Sequence, residues 1–450
     1  MSRSVPIGTA AGTAAGSAAG SAEPTAGPGS AHHPSPESGR RDNWVTISLV
    51  GCVHGSSHFY QLVIPSLFLP LGQAFGLDFA QLGLLMTLFF AVSGLGQVVA
   101  GFVVDRVGPR PVLWVGVAGF VVSALMLSMS TGYATLMLAA AVGGLANSVF
   151  HPADFSILNH RVAVQRLGHA FSVHNLTGTL GWALAPMFVI GVTQIWGWRE
   201  AALGVAILMS AVWIAAVLGR SWLEVAGTRA LKETPSLSTN DEPAPNVFDT
   251  LKQILSSHAL WGAFLFFCFA TIALSAVQNF TIPLMGNIYG MSAVMAGAVL
   301  SGYMVGQMLG MVAGGFLVNA TPRTEYVVLA SLLLAAAMFL LLATGWVPLS
   351  LAALVMAMAG FFSGASAPSR DMMVRKVTPK RAVGSVYGLV YAGLDVGSAL
   401  GPLLFGLLLD AGWERGPWVG AALAFVCGAL LAAQIGRAGR QPTAERYAAS

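Results

Sequence analysis

Apolar runs of 20 or more residues recur along this chain from about residue 44 almost to its end. Each is long enough to cross the hydrocarbon of a bilayer as a single α-helix. Charged side chains make up only 9% of the residues, against about 25% in soluble domains. A water-soluble fold wearing that surface would aggregate. The chain is therefore read as an all-α integral membrane protein.

Twelve spans can be marked. They lie near 44–68, 79–104, 111–130, 133–157, 168–195 and 199–219, then 259–287, 292–318, 325–345, 348–370, 383–409 and 416–436. Residues 1–42 are rich in Ala, Gly, Ser and Pro and are expected to form a disordered tail. No apolar segment follows the first Arg, so the tail does not read as a signal peptide. The polar stretch 220–257 reads as a linker between an N-terminal six-helix bundle, 43–219, and a C-terminal one, 258–436. Residues 437–450 form a second short tail.

Of the 22 Lys and Arg residues, only Arg199 and Arg415 fall in segments on one side of the expected membrane. The others share the opposite side with both termini. The positive-inside rule then puts the termini in the cytoplasm of a cell whose inner (plasma) membrane holds the chain. The same bias accounts for the net charge of +4 without a nucleic-acid partner. Trp196, Trp198, Trp346, Trp413 and Trp418 fall at the outer ends of spans, where interfacial anchors belong. Cys52, Cys268 and Cys427 sit singly within apolar runs and make no disulfide framework.

One stretch occurs twice. Pro152–Pro186 aligns without a gap on Pro368–Pro402, bringing Gly168 onto Gly384, Gly181 onto Gly397 and Leu184 onto Leu400. Both copies run from an apolar helix end through a basic connector into a long apolar helix ending in Pro. Displacement by nearly half the chain indicates a duplicated bundle.

The connector after span 2, GFVVDRVGPRPVL, resembles the signature loop of the major facilitator superfamily, G-x-x-x-D-R-x-G-R-R. Gly101, Asp105, Arg106, Gly108 and Arg110 match, with Pro109 at a position usually basic. Gly101 would allow close helix approach, Gly108 a tight turn, and Asp105 a helix cap or a pair with Arg. The corresponding connector of the second half, GGFLVNATPR, has Asn319 at the Asp position. The segment VFHPADFS…RLGHAFSVHN is similar to the fosmidomycin-resistance branch of that superfamily. Two family features are altered: Ala140 stands where span 4 usually carries Arg, and Ala185 replaces a Gly of the span-5 pattern. The resemblance implies a transporter with a central cavity lined by spans 1, 4, 7 and 10, working by alternating access; the chain is expected to be monomeric.

Polar residues within the spans recur at helical spacing. Span 1 carries His54, His58, Gln61 and Pro65; span 4 carries Asn147, His151 and Asp154; span 7 carries Thr271, Ser275, Gln278 and Asn279. Span 10 carries Ser363, Ser366 and Arg370, and span 11 carries Tyr387, Tyr391, Asp395 and Ser398. Each row marks one polar face, turned in a bilayer toward other helices or a water-filled cavity. The bland reading is bonding across helices. His54, His58, Gln61, Asn147, His151, Gln278, Asn279, Ser366 and Tyr391 are the candidate cavity residues. Asp154 and Arg370 superpose in the repeat near the inner surface, where a gate or two helix-end charges would fit. Asp395 falls near mid-membrane and reads as the only acidic residue deep in a span. A carboxylate there costs several kcal/mol unless paired or protonated, which suits either a hydrogen-bonded helix contact or a carrier of a coupling proton, with His54, His58 or His174 as relay and Asp154 or His151 as the next candidate for the proton site.

No Lys follows Gly, so there is no G-K-[ST] phosphate loop; no Cys/His group has zinc spacing, and no nucleophile sits in a recognisable catalytic motif. The chain is thus not expected to be an enzyme, nor to carry a metal or other cofactor. An ion gradient is the energy source left. The reading is a secondary transporter with a small-molecule substrate and protons as coupling ion, exporting a drug-like or toxic molecule. Uptake of a small organic anion or metabolite is the alternative, and a non-transporting membrane sensor or binding subunit is the alternative of another class.

Overall fold

A proline follows each interruption of a span, although Pro186, Pro283 and Pro402 sit inside helices that run on unbroken. The computed structural model describes residues 36–225, 258–321, 323–377 and 383–438, and the contacts below lie within Arg41–Ser450. Most of the N-terminal tail, the linker from 226 to 257, the connector 378–382 and the end of the C-terminal tail lie outside the described residues, as do the side chains of Tyr391 and Asn319.

The described residues form helices joined by short turns, with no strand among them. Span 1 comprises Pro36–Gln61, Val63–Ser66 and Phe68–Phe75; span 4 comprises Tyr133–Asn147 and Phe150–Arg161; span 10 comprises Leu349–Ala365 and Ala367–Val377. Spans 2, 3, 5 and 6 are Phe79–Val107, Pro109–Ser128, Leu167–Trp196 and Trp198–Leu218. Spans 7, 8, 9, 11 and 12 are His258–Tyr289, Ala293–Ala320, Thr324–Ala343, Val383–Asp410 and Gly416–Ala438. Among the described residues, eleven spans contain a stretch apolar and long enough to cross a bilayer unaided. Span 1 is the twelfth, made more polar by its His, Ser and Gln.

A proline lacks an N–H, and its ring collides with the carbonyl four residues earlier. Four residues before Pro65, Pro70 and Pro152 stand Gln61, Ser66 and Ser148, and the helix stops at or beside each of them. Span 10 breaks the same way before Pro368. Span 1 also runs further than the apolar run near 44–68 suggests. It re-forms after each break and ends only at Gly76, whose φ of 64° is the usual left-handed helix stop.

Side chains such as Leu95, Phe102, Leu184, Ile207, Phe316 and Leu354 point outward and exposed. On a membrane protein that surface meets lipid tails. Inside, small residues let backbones approach. A β-carbon at Gly83 would meet the carbonyl of Pro402, and one at Gly406 the carbonyl of Phe79.

The N- and C-terminal halves touch along spans 2 and 11, 5 and 8, and 1 and 7. The Asp410 carboxylate accepts hydrogen bonds from the backbone N–H of Phe79 (2.9 Å) and of Ala80 (2.6 Å), at the N-terminus of span 2. Thr87 Oγ1 donates to the Ala399 carbonyl at 2.6 Å, and Ser301 Oγ to the Ala183 carbonyl at 2.7 Å. The Phe68 and Phe280 rings meet at 5.9 Å. Between spans 2 and 11 these contacts run from Phe79 and Asp410 to Gly94 and Asp395, about halfway along both helices. The halves are therefore joined over the end that holds the turns at Gly76, Gly197 and Gly412.

Candidate functional site

The breaks in spans 1 and 4 lie side by side. Gln61, last residue before the first break, donates from Nε2 to Asn147 Oδ1 at 3.1 Å, and Asn147 is last before the other. Asn147 Nδ2 donates to Ser93 Oγ at 2.8 Å, and Trp182 Nε1 donates to Gln61 Oε1 at 2.9 Å. Spans 1, 2, 4 and 5 are thus tied by one hydrogen-bonded chain at the level of the two interruptions.

Next to this chain lies Asp154, with 0% of its surface exposed. Its Oδ2 is 3.0 Å from His54 Nδ1 and 3.3 Å from His174 Nε2. The His54 and His174 rings stack with centroids 3.4 Å apart and an interplanar angle of 22°. His58 lies 4.5 Å from the His54 ring and His151 5.3 Å, and His58 also packs on Trp182 at 4.2 Å. His54 and His174 are buried; His58 and His151 are half-buried. Gly178 gives the rings their room, since a β-carbon there would stand 2.9 Å from His58 and 3.1 Å from His54 Nε2. Three spans therefore place four imidazoles around one carboxylate. Each of these groups can take up and release a proton, and imidazole ordinarily does so nearest neutral pH.

This arrangement changes the sequence reading in several places. Asp154 is not a charge at a helix end: it is wholly enclosed because span 4 continues past its break to Arg161. Asp395 is consequently not the only acidic residue deep in a span. It is half-buried on span 11, and a β-carbon on Gly94 would come 3.0 Å from its own, so it faces span 2 of the other half. Asp154 and Arg370 have different partners. Arg370 Nε is 3.0 Å from Asp371 Oδ1, with its guanidinium 4.7 Å above Phe267.

The signature-loop residues lie at the far end from Asp410. Asp105 and Arg106 are exposed, Gly101 has open space beside it instead of a close neighbour, and Gly108 turns with φ 93°. Arg110 pairs with Glu224, just after span 6, at 2.9 Å. In the second half, Asn279 Nδ2 donates to the Ser275 carbonyl at 2.8 Å, while Asn279 Oδ1 and Gln278 Nε2 are buried without partners. Ser366 Oγ donates to the Ser363 carbonyl at 2.7 Å, beside the break in span 10.

Sequence reasoning named the histidines but not Gly178 or Trp182. The signal was present, for His174, Gly178 and Trp182 follow i, i+4, i+8 on span 5, one face of a helix.

The family profile described as Major Facilitator Superfamily matches residues 49–292 and 269–446. The chain belongs to the Major Facilitator Superfamily. This facilitator is 25% identical over 383 residues to the fosmidomycin resistance protein of Escherichia coli (strain K12), a match covering 82% of this chain and 87% of that protein. It is 21% identical over 203 residues to the probable L-galactonate transporter of the same organism, over 44% of each chain. Among solved structures it is similar to a bacterial homologue of the human lysosomal transporter Spinster, crystallised inward-facing and unoccupied. That match has a TM-score of 0.66 and 15% identity, covering 89% of this chain and 97% of the other. The fold is the twelve-helix facilitator fold, and the chain is a multi-pass membrane protein of a transporter family.

Proposed function

We propose that this facilitator is a monomeric secondary active transporter that works by alternating access and couples proton entry to export of a small drug-like or toxic molecule. The observation that carries the proton assignment is the enclosed Asp154 carboxylate, one oxygen shared between His54 and His174. A carboxylate held away from water needs a proton or a cationic partner. Imidazoles in contact with it give that proton a route, through His58 and His151 at the half-buried edge. Asp395 is kept as a second proton-handling position at the interface of spans 2 and 11.

The two bundles, 43–219 and 258–436, joined by 220–257, act as the rocking bodies. The Lys and Arg bias supports a cell inner membrane with both termini in the cytoplasm. In that orientation the end clamped by Asp410 is the outer one, and the conformation is open inward, ready to receive cargo from the cytoplasm. Gln278, Asn279 and Ser366 are kept as the polar residues of the second half nearest the substrate path in this reading, and Asp105, Arg106, Arg110 and Arg370 gate its cytoplasmic mouth. Similarity to a resistance protein over most of both chains supports export. Uptake of a small organic anion is the second reading, favoured by the shorter match to a probable L-galactonate transporter.

The test uses proteoliposomes with an imposed pH gradient, with labelled fosmidomycin and L-galactonate as first probes. Asp154→Asn is expected to abolish gradient-driven accumulation while substrate exchange continues. Undiminished accumulation in that variant would move the proton site elsewhere. Accumulation of L-galactonate but not fosmidomycin would favour the second reading.

A further inference from the structure

The Asp154 cluster contains more ligating atoms than its hydrogen bonds use. His151 Nδ1, His174 Nδ1 and Asp154 Oδ1 are all enclosed without a hydrogen-bond partner, and so is His58 Nδ1. Buried polar atoms in folded proteins nearly always have partners, and several orphans in one place point to a missing ligand. His54, His151 and His174 each offer one ligand atom, and these three atoms lie within 4.8 Å of one another. We infer that the three histidines form a binding site for one divalent transition-metal ion, with Asp154 as the group that orients two of them.

The His54 and His174 rings stack at 3.4 Å and 22°, so binding requires one of them to turn until its free nitrogen meets the ion in its own ring plane; with that turn the chemistry favours such an ion. Neutral imidazole suits Zn²⁺, Co²⁺, Ni²⁺ and Cu²⁺, whereas Mg²⁺ and Ca²⁺ want oxygen cages. A histidine that ligates a metal through one nitrogen usually donates its other N–H to a carboxylate, which fixes the ring and raises its basicity. Asp154 already stands in that relation to His54 through Nδ1 and to His174 through Nε2. Its negative charge also offsets part of the charge of an enclosed dication. His151 is half-buried, so the site has an edge through which an ion can enter. Trp182 and Phe155 flank the rings, at 4.2 Å from His58 and 5.7 Å from His151. The spacing rules for zinc sites miss this group because its members come from spans 1, 4 and 5.

The inference rests on this cluster's being the site named above, and its test needs no transport. Purified full-length protein in detergent, stripped with a chelator, is titrated with Co²⁺ and followed by visible absorption and by isothermal calorimetry. One ion per chain is expected, with the ligand-field bands of a low-coordinate cobalt centre. His151→Gln and His174→Gln should each weaken binding at least about tenfold. His160→Gln should leave it unchanged, since His160 is exposed on the far part of span 4 with its Nδ1 against the Ser156 carbonyl. His151→Cys, in a background with Cys52, Cys268 and Cys427 replaced by Ser, should bind one Co²⁺ per chain with a new thiolate-to-cobalt charge-transfer band. Absence of cobalt bands in the wild-type protein, or binding unchanged in both Gln variants, would overturn the site; water or an adventitious surface cation would then account for the orphan atoms. If Asp154→Asn keeps proton-driven accumulation while His151→Gln loses cobalt, only the proton reading fails.

Discussion

At the scale of single residues, Gly178 shows how narrowly the cluster fits. A methyl group there would press on His58 and on His54 Nε2, and overpacking of this kind costs about 1–3 kcal/mol. Gly178→Ala is expected to lower the melting temperature in detergent and to lower transport with it, while Gly191→Ala, with nothing near its β-position, should do neither. Gln61 gives a second case. It reads from the sequence as a cavity residue, yet both ends of its amide are occupied, by Asn147 and by Trp182. Gln61→Leu strands two buried polar groups, at about 1–3 kcal/mol each. We expect a destabilised protein, seen as a lower midpoint in thermal unfolding. A Gln61→Cys variant in a background without the exposed Cys52 should react slowly with an aqueous thiol reagent, because Gln61 is enclosed. Rapid labelling would restore its place in the cavity wall.

At the scale of elements, the periodic polar rows were legible and their meeting point was not. The rows at His54, His58, Gln61 and at Asn147, His151, Asp154 need only a period of 3.6 residues. That Asp154 turns inward to His54 and His174 depends on how spans 1, 4 and 5 rotate against each other, and on the close approach of Gly181 to the Gly55 carbonyl. Local sequence carries no direct record of either. The proline breaks were only partly legible, since the clash with the carbonyl four residues earlier applies equally at Pro186, Pro283 and Pro402, where the helix runs on. One inter-element contact invites a direct test. Asp410 caps the N-terminus of span 2 from span 11, where a negative charge meets the positive end of the helix dipole. Replacing that charge in Asp410→Asn should weaken the joint by about 1 kcal/mol, up to about 2 in this partly enclosed geometry. With 1.4 kcal/mol to each tenfold, the population open at this end rises about fivefold or more. Phe68→Cys, placed where Phe68 packs on Phe280, reports it as faster labelling by a membrane-impermeant thiol reagent.

At the scale of the whole molecule, class, span count and family were readable because bilayer thickness and helix rise leave little choice once apolar runs recur. The conformation was not readable, because both states of a rocking transporter use the same helices and differ in which end is joined. Among the described residues the joined end carries Asp410, while Asp105 and Arg106 at the other end are exposed and Arg110 pairs with Glu224. If the halves alternate, the signature loop must find its partners in the opposite state, and Asp105 then does for that end what Asp410 does for this one. Asp105→Asn should therefore destabilise the opposite state and deepen the population of the one described. The same reporter tests this with the opposite sign. Labelling of Phe68→Cys should slow with Asp105→Asn and quicken with Asp410→Asn, and the double substitution should return it toward the starting rate, since the two sites lie too far apart to interact directly. Transport should fall in both single variants at normal membrane insertion, because a carrier held in either state cycles slowly. Labelling that moves in the same direction in both, or full transport by Asp105→Asn, would remove the signature loop from the gate.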